Sequence, residues 1–282
     1  MKICKTIKEM QAASRAARLG GLRLGFVPTM GALHEGHLSL VREANAQCDA
    51  VAVSIFVNPL QFGPNEDLAK YPRTFDRDCR LLEKESVDLL FAPTAEEMYP
   101  EKAITYVTVE GMSEKLCGRS RPGHFGGVTT VVAKLFNIIE PDLAFFGQKD
   151  AAQAAIIRRM VRDLNFAVEV VVCPIVRDAD GLALSSRNAY LNAEQRKSAL
   201  VLHRALVEVQ SQFERGERDA AKLVESGKRV IAGERGARLD YLEIVDPEML
   251  EAVDQVVGSA LVAVAAFIGT TRLIDNVVLG VS

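Results

Sequence analysis

Short apolar runs that alternate with longer segments of helical period are the feature that most constrains the fold of this chain. Four such runs are candidate strands, at residues 25–28, 50–57, 89–92 and 143–146. Three further segments have apolar residues at helical spacing, at residues 38–47, 75–85 and 151–164. Strands that alternate with helices are typical of βαβ units, whose strands are parallel. The pattern therefore predicts an α/β fold with a Rossmann-like parallel sheet flanked by helices.

The pattern changes towards the end of the chain. Residues 168–176 read as one more strand, and the stretch 193–232 is rich in helical spacing. Two further strands are predicted at 239–245 and 260–268. We therefore place a domain boundary near Val176, which predicts a Rossmann-like domain at 1–176 and a smaller C-terminal α+β domain at 177–282.

Composition excludes several classes of function. The net charge of -3 creates no general basic field, so binding to nucleic acid is not expected. The five cysteines are scattered without a C-x-x-C pair, which suits a reducing cytoplasm and disfavours a zinc or redox site. The most apolar stretch, at 260–269, is about half the length of a membrane helix. We expect a cytoplasmic protein with neither a membrane span nor an export signal.

The segment 26–37, which reads F-V-P-T-M-G-A-L-H-E-G-H, predicts a site for phosphate. Pro28 and Gly31 indicate a turn between an apolar strand and a helix, so that His34 and His37 lie at the start of the helix and face the same side. A helix start attracts anions through its backbone N–H groups and its dipole. Two other interpretations remain open: the histidines share a metal ion, which would require further ligands, or they simply face solvent.

Polar residues also follow other predicted strands. Gly147 to Asp150 place a lysine after an apolar run, and Leu184 to Arg187 offer two hydroxyls and a guanidinium to a phosphate. The second segment is equally suited to capping a helix. The amides of Asn58 and Gln61 follow the strand at 50–57, and amides suit the recognition of hydroxyl groups.

Two charged groups have less specific patterns. Arg119, Arg121 and His124 form a basic, flexible loop that suits a carboxylate or a phosphate, unless it is only a solvated surface loop. Asp76 and Asp78 lie on one region of a predicted helix and are weak candidates for magnesium, because acids near arginines more often form surface ion pairs.

An ordered set of blocks identifies a family resemblance. The blocks are P-T-M-G-A-L-H-E-G-H-L-S-L-V, V-N-P-L-Q-F, Y-P-R-T, G-H-F-x-G-V, F-F-G-Q-K-D, L-S-S-R-N and T-R-L-I-D-N, between about residues 22 and 276. In this order they resemble the pantothenate synthetases (pantoate:β-alanine ligases). The H-x-G-H element alone resembles the signature shared by nucleotidylyltransferases and class I aminoacyl-tRNA synthetases.

The resemblance implies a reaction. It implies an ATP-dependent ligase that condenses pantoate with β-alanine to pantothenate through pantoyl adenylate and releases AMP and pyrophosphate. ATP would be a substrate, and Mg²⁺ would be carried by its phosphates rather than by dedicated protein ligands, with Asp78 as the weak exception. The resemblance also implies a homodimer in which the first domain binds nucleotide and pantoate and the second closes over the site.

The resemblance also implies the site residues. The catalytic residues would be His37, His34, Lys149 and Arg187. The ATP-binding residues would be Met30, Gly31, Ala32, Leu33, His34, Glu35, Gly36, His37, Gly147, Gln148, Lys149, Asp150, Val176, Leu184, Ser185, Ser186 and Arg187. The substrate-binding residues would be Gln61, Gln153, Asn58, Arg121 and His124.

Three other functions share part of this pattern. A nucleotidylyltransferase would use the first motif and stop after transferring AMP or CMP, and a nucleotide sensor would bind without turnover. An aminoacyl-tRNA synthetase is least favoured, because 282 residues leave little room for an anticodon-binding domain. The sequence also departs from the family where Phe267 and Thr270 replace expected basic residues.

Overall fold

A six-stranded sheet in which every strand pair is parallel organises the first half of the computed structural model, which describes residues 1–64, 66 and 68–280. The order across the sheet is β1-β4-β3-β2-β5-β6. Its strands are β1 (Lys2–Cys4), β2 (Leu24–Thr29), β3 (Ala50–Ile55), β4 (Leu89–Phe91), β5 (Leu143–Gly147) and β6 (Glu169–Cys173). The predicted parallel sheet is confirmed.

Helices cover the sheet on both faces, which is why its central strands are almost wholly apolar. The helices in this part of the chain are α1 (Ile7–Leu19), α2 (Glu35–Gln47), α3 (Phe75–Lys84), α4 (Ala95–Met98), α5 (Cys117–Ser120), α6 (His124–Ile139) and α7 (Ala151–Asp163). Successive residues of a strand face opposite sides. Phe26 accordingly packs in a core with Met10 and Phe136, and Val27 packs in a second core with Val41 and Leu82.

The order of strands reverses between β2 and β5, because the chain builds β3 and β4 on one side of β2 and β5 and β6 on the other. In open parallel sheets, ligands bind at the carboxyl ends of the strands beside such a reversal. The segments that leave β2 and β5 at this edge are the H-x-G-H segment and the G-Q-K-D segment. The topology therefore supports both as candidate site segments.

Pro28 was expected in the turn, but it lies within β2, opposite Ser54 of β3. The register of β2 with β5 ends at Phe26. The carbonyl oxygen of Leu24 accepts a hydrogen bond from Asp142 N on the β5 side, and backbone groups alternate in direction along a strand, so position 28 also faces β5. A proline is tolerated there because that neighbour no longer needs its N–H.

A three-stranded antiparallel sheet, with order β7-β8-β9, lies in the last part of the chain. The elements of this part are α8 (Ala193–Ala199), α9 (Val201–Glu214), α10 (Ala220–Ala232), β7 (Ala237–Val245), β8 (Ala260–Ile268) and β9 (Thr271–Leu279). The smaller α+β fold is thus confirmed. The sequence did not reveal β9, because the tight turn before it has no long polar spacer and because Asp275 and Asn276 interrupt its apolar pattern.

Phe267 and Thr270, where the resemblance led us to expect basic residues, lie near the end of β8 and in the β8–β9 turn. Thr270 is exposed in that turn, beside Gly269, whose φ of +58 suits the first position of a tight hairpin turn. Phe267 is partly buried, and the guanidinium carbon of Arg238, opposite it on β7, lies 4.2 Å from its ring centre. A cation–π contact therefore occupies this position.

The chain divides into two compact units. The first contains Met1–Glu114, Gly118–Gly147 and Ile156–Pro174, and the second contains Lys115–Cys117, Gln148–Ala155 and the chain from Ile175 onwards. The division at residue 176 and the closing movement of a second domain stay predictions. In the described part of the chain, no helix has both the length and the apolar composition needed to cross a bilayer.

Candidate active site

The turn after β2 has an unusual backbone. Gly31 and Ala32 both have positive φ angles, of 81° and 52°. A side chain at Gly31 would also approach within 3.1 Å of Ile55, so glycine is required there for two reasons. The hydroxyl of Thr29 accepts a hydrogen bond from Gly31 N at 3.1 Å and donates to Ser54 O at 2.7 Å. Thr29, which the sequence did not single out, therefore fixes the entry to the turn.

Asp78 holds the rest of this turn. Its carboxylate accepts hydrogen bonds from Ala32 N at 2.8 Å and Leu33 N at 3.0 Å, and the hydroxyl of Thr74 lies 3.1 Å from both of its oxygens. Asp78 is only 1% exposed. These partners indicate a structural role for Asp78, which accepts the N–H groups of Ala32 and Leu33 as Thr29 accepts that of Gly31.

Replacing Asp78 with alanine should lower the free energy of unfolding by about 2–3 kcal/mol, because two buried N–H groups lose a charged acceptor. Urea unfolding followed by circular dichroism measures this change. Asp76→Ala is the matched control, since Asp76 is an exposed acid in the same helical turn. Equal stabilities for the two variants would show that Asp78 does not support the turn.

The two histidines cap the start of α2, where the sequence predicted them. His34 is the N-cap residue, and its Nδ1 accepts from Gly36 N at 3.2 Å. His37 is the third residue of the helix, and its Nδ1 faces His34 N at 3.4 Å. A ring nitrogen that accepts a hydrogen bond carries no proton, so each neutral ring has its proton on Nε2. The two ring centres lie 4.1 Å apart, with the ring planes tilted by 40°.

Asn58 and Gln61 form a buried pair after β3. The amide nitrogen of Asn58 donates to Gln61 Oε1 at 3.2 Å and to Gly127 O at 3.0 Å, and its Oδ1 accepts from Leu60 N and the Tyr99 hydroxyl. Both donors and both lone pairs of this amide are thus used. Burial raises the pKa of Tyr99 to about 12, so its hydroxyl stays a donor at neutral pH. This arrangement makes Asn58 an organiser of the turn, and its contact with substrate stays a prediction.

Gln61 connects this turn to the first motif. Its Nε2 lies 3.0 Å from the sulfur of Met30, in the turn that follows β2. The backbone at Gln61 also packs tightly against α6, because a Cβ on Gly127 would lie 2.3 Å from Leu60 O. Gly127 therefore permits a close approach between this turn and α6. The structure thus brings together Met30 and Gln61, which were predicted from separate motifs.

The sequence predicted a flexible loop around Arg121 and His124, but the structure shows two helices there. Residues 117–120 form α5, and His124 begins α6 after Gly123, whose φ is +80. The guanidinium of Arg121 binds both carboxylate oxygens of Glu66, at 2.7 and 2.5 Å, and lies 2.9 Å from His124 Nε2. His124 Nδ1 lies 2.8 Å from Gln61 O. The prediction missed α6 because the apolar residues after position 124 were not recognised as a helix in the sequence.

The Glu66–Arg121 ion pair predicts a pH dependence. Burial raises the pKa of Glu66, but the hydrogen bond and charge of Arg121 outweigh it and hold that pKa below its usual value. A carboxylate with a lowered folded pKa contributes stability above its unfolded pKa, about 4.3, and loses it as pH falls through the folded value.

We therefore expect Glu66→Gln to be less stable than the wild type at pH 7 and to approach it as the pH falls below about 4. Thermal unfolding across this pH range measures the difference. Glu83→Gln, at an exposed position, should follow the wild type throughout. A stability gap for Glu66→Gln that stayed constant into acid would contradict the ion-pair explanation.

In the second unit, the last three residues of the G-Q-K-D segment form a 3-10 turn at Gln148–Asp150, directly before α7. The Lys149 ammonium lies 3.7 Å from Asp150, and its side chain is 20% exposed. Asn276 of β9 binds the carbonyl oxygens of Gln148 and Lys149 at 2.8 and 3.0 Å. Gln153, half-buried, lies on the first turn of α7.

Val176 and Leu184 are neighbours in a small hairpin of the same unit. Leu184 N donates to Val176 O at 3.0 Å, and the turn between them ends at Gly181, whose φ is +95. Ser185 then caps a 3-10 helix at Ser186–Tyr190 by accepting from Arg187 N at 3.2 Å. The capping interpretation of this motif is therefore correct for Ser185. Capping and phosphate binding are compatible, because a capped start still carries the positive end of a helix.

A protein site for Mg²⁺ would need carboxylate or other oxygen ligands that are available to the ion. The described residues contain no group of three or more histidine, cysteine, aspartate or glutamate side chains that could hold a metal ion. The carboxylate of Asp78 is already bonded to two backbone N–H groups and lies beside a hydroxyl. These donors do not fit a dedicated magnesium site, and we assign no step of the reaction to the metal.

Comparison with protein families gives one match along nearly the whole chain. The family model described as Pantoate-beta-alanine ligase matches residues 2–278. A pantothenate synthetase of Koribacter versatilis is 64% identical over 279 residues, which cover 99% of this chain and 96% of the relative. A pantothenate synthetase of Thermotoga neapolitana is 56% identical over 280 residues, which cover 99% of this chain and 100% of the relative.

Solved structures show the same similarity in three dimensions. The crystal structure of pantothenate synthetase from Thermus thermophilus has a TM-score of 0.93 and 48% identity, and covers 98% of this chain and 99% of that chain. The pantoate-beta-alanine ligase from Francisella tularensis, complexed with beta-gamma ATP and beta-alanine, has a TM-score of 0.79 and 33% identity. That match covers 98% of this chain and 97% of the other.

Proposed function

We propose, because this chain belongs to the pantoate-beta-alanine ligase family, that it condenses pantoate with β-alanine through pantoyl adenylate. ATP is the proposed energy source, and a solved relative is complexed with a form of it. The observation that carries the nucleotide chemistry is the pair of adjacent histidine rings at the start of α2.

The proposed reaction has two steps. A carboxylate oxygen of pantoate attacks the α-phosphorus of ATP, which forms a C–O–P bond and breaks the bond to the departing pyrophosphate. The amine of β-alanine then attacks the acyl carbon, loses a proton, and displaces AMP. Activation is necessary because a free carboxylate resists attack by an amine. Neither step requires a covalent bond to the enzyme.

His34 and His37 have the proposed role of stabilising charge that develops on the phosphates. Their Nδ1 atoms are engaged with the backbone, which fixes the rings and makes each Nε2–H a donor. Fixed donors stabilise a transition state without the cost of reorganising. We place the greater role on His37, which lies one turn further into the helix.

Lys149, Ser185, Ser186 and Arg187 have the proposed role of binding phosphate groups of ATP. A lysine acts as a mobile point charge, whereas arginine and the serine hydroxyls offer directed hydrogen bonds. Gly147, Gln148, Asp150, Val176 and Leu184 would contribute backbone contacts to the nucleotide. These roles remain proposals, as do the contacts of residues 30–37 with ATP.

Gln61 and Gln153 have the proposed role of orienting pantoate, whose hydroxyl groups can both donate to and accept from an amide. We propose that Asn58 acts through Gln61, since all of its hydrogen-bonding capacity is used within the protein. Arg121 and His124 are weaker candidates, because a substrate carboxylate would have to replace Glu66 on Arg121. A homodimer is proposed from the family alone.

The proposed function is tested by following ¹⁸O from the carboxylate of pantoate into the products. Pantoate labelled with ¹⁸O in its carboxylate is incubated with ATP and Mg²⁺, with and without β-alanine, and the products are weighed by mass spectrometry. The adenylate route releases pyrophosphate with pantoate and transfers one ¹⁸O to AMP when β-alanine is added. Label in inorganic phosphate, with ADP as the other product, would instead indicate an acyl phosphate and would refute the adenylate route.

A further inference from the structure

The T-R-L-I-D-N block, at residues 271–276, has no role in the function proposed so far. Its last residue, Asn276, lies on β9 and is 3% exposed. The amide nitrogen of Asn276 donates to Gln148 O at 2.8 Å and to Lys149 O at 3.0 Å. Its Oδ1 accepts from Gln148 Nε2 at 2.9 Å. One buried side chain therefore binds two consecutive residues of the G-Q-K-D turn.

These hydrogen bonds determine the path of the turn. A side-chain amide has two N–H donors, and both of those of Asn276 end on carbonyl oxygens of the turn. The turn itself is a short 3-10 helix, whose internal hydrogen bonds are weaker than those of an α-helix. Asn276 thus adds two hydrogen bonds to those within the turn, and it fixes the backbone from which the Lys149 side chain projects.

The neighbouring residue holds Asn276 in place. The carboxylate of Asp275 accepts from Asn276 N at 2.8 Å and binds Arg177 through both oxygens, at 2.6 and 2.9 Å. Asp275 is 4% exposed, so this bidentate pair is largely desolvated and its geometry is restrictive. Arg177 follows Val176, in the other proposed nucleotide segment of this unit. Adjacent residues of β9 therefore anchor both segments.

We propose that Asn276 is a positioning residue for adenylate formation, which acts by fixing the place of the Lys149 ammonium. The inference rests on the proposed function, because it takes Lys149 as a ligand of the ATP phosphates. Asn276 itself need not contact ATP. A displacement of about 1 Å in a group that stabilises the transition state costs on the order of 10²-fold in rate.

The informative variant is Asn276→Asp, which keeps the shape of the side chain and replaces the donating NH₂ by an oxygen. That oxygen would face the two carbonyl oxygens of the turn and displace it. We expect kcat for pantoate-dependent pyrophosphate release to fall on the order of 10²-fold, with little change in KM for pantoate. Val262→Ala, a buried change on the adjacent strand β8, controls for lost stability and should keep its kcat at a temperature where it is folded.

A double-mutant cycle with Lys149→Ala separates positioning from a merely structural role. If Asn276 acts through Lys149, then Asn276→Asp should lower kcat by no more than about twofold further in the Lys149→Ala background. A structural defect would instead multiply the two losses, and that result would overturn the inference, as would a wild-type kcat for Asn276→Asp. A Lys149→Ala variant with normal kcat would overturn the inference while leaving the ligase proposal. A wild type that releases no pyrophosphate would overturn both.

Discussion

Replacing His37 with alanine should lower kcat for pyrophosphate release on the order of 10²- to 10³-fold, as the loss of one fixed donor to a developing negative charge typically does. The Nδ1 of His37 faces His34 N at 3.4 Å, which fixes its ring and leaves its proton on Nε2. Steady-state release of pyrophosphate with saturating ATP and pantoate measures the effect.

The control for His37 must preserve its second function, which is to cap α2. Glutamine is a common residue at this position of a capping box, because its side-chain oxygen accepts the N–H of the N-cap residue. His37→Gln should therefore unfold close to the wild-type temperature, whereas His37→Ala should lose up to about 1 kcal/mol. Because glutamine keeps an amide N–H donor, His37→Gln should retain part of the activity that His37→Ala loses. A fully active His37→Ala would assign His37 to the cap alone.

Lys149→Ala should cause a loss of similar size, on the order of 10²- to 10³-fold in kcat, because it removes the cation proposed to lie nearest the phosphates. The turn should stay folded, since Asn276 binds the carbonyl oxygen of Lys149 and not its side chain. We therefore expect the thermal unfolding of this variant to match the wild type within about 0.5 kcal/mol.

Two further variants separate charge from position. Lys149→Arg keeps the charge but spreads it over a planar group, so it should recover only part of the rate. Lys197→Ala removes the same charge from a side chain that is 75% exposed and paired with Glu194. It should leave kcat unchanged. Equal effects of Lys197→Ala and Lys149→Ala would mean that only the net charge matters.

Local patterns were sufficient to predict the elements that carry the first motif. An apolar strand, a glycine turn and a helical spacing predicted β2 and α2 with both histidines at the helix start, because these signals act over a few residues. The change in the pattern of predicted strands and helices near residue 176 similarly predicted a smaller α+β region. Pro28 shows the limit, since a proline was compatible with the strand only because β5 diverges there.

Contacts between distant residues could not be predicted from the same patterns. Asp78 binds the turn 46 residues earlier, and Asn276 binds a turn 128 residues earlier. In the sequence, Asp78 looked like a surface acid and Asn58 like a substrate ligand. Only the fold shows that the first is buried under a turn and that the second has no hydrogen-bonding capacity left.

The tight turn at Gly269 and Thr270 sets the register in which Ala263 of β8 lies opposite Asn276. Strand side chains alternate between faces, so a slip of one residue would put Asp275 or Val277 where Asn276 lies. A hairpin with the wrong register would keep every motif in its sequence, but Asn276 could no longer bind the turn at Gln148–Asp150. The register of this hairpin therefore decides whether Asn276 can bind the backbone of the turn that carries Lys149.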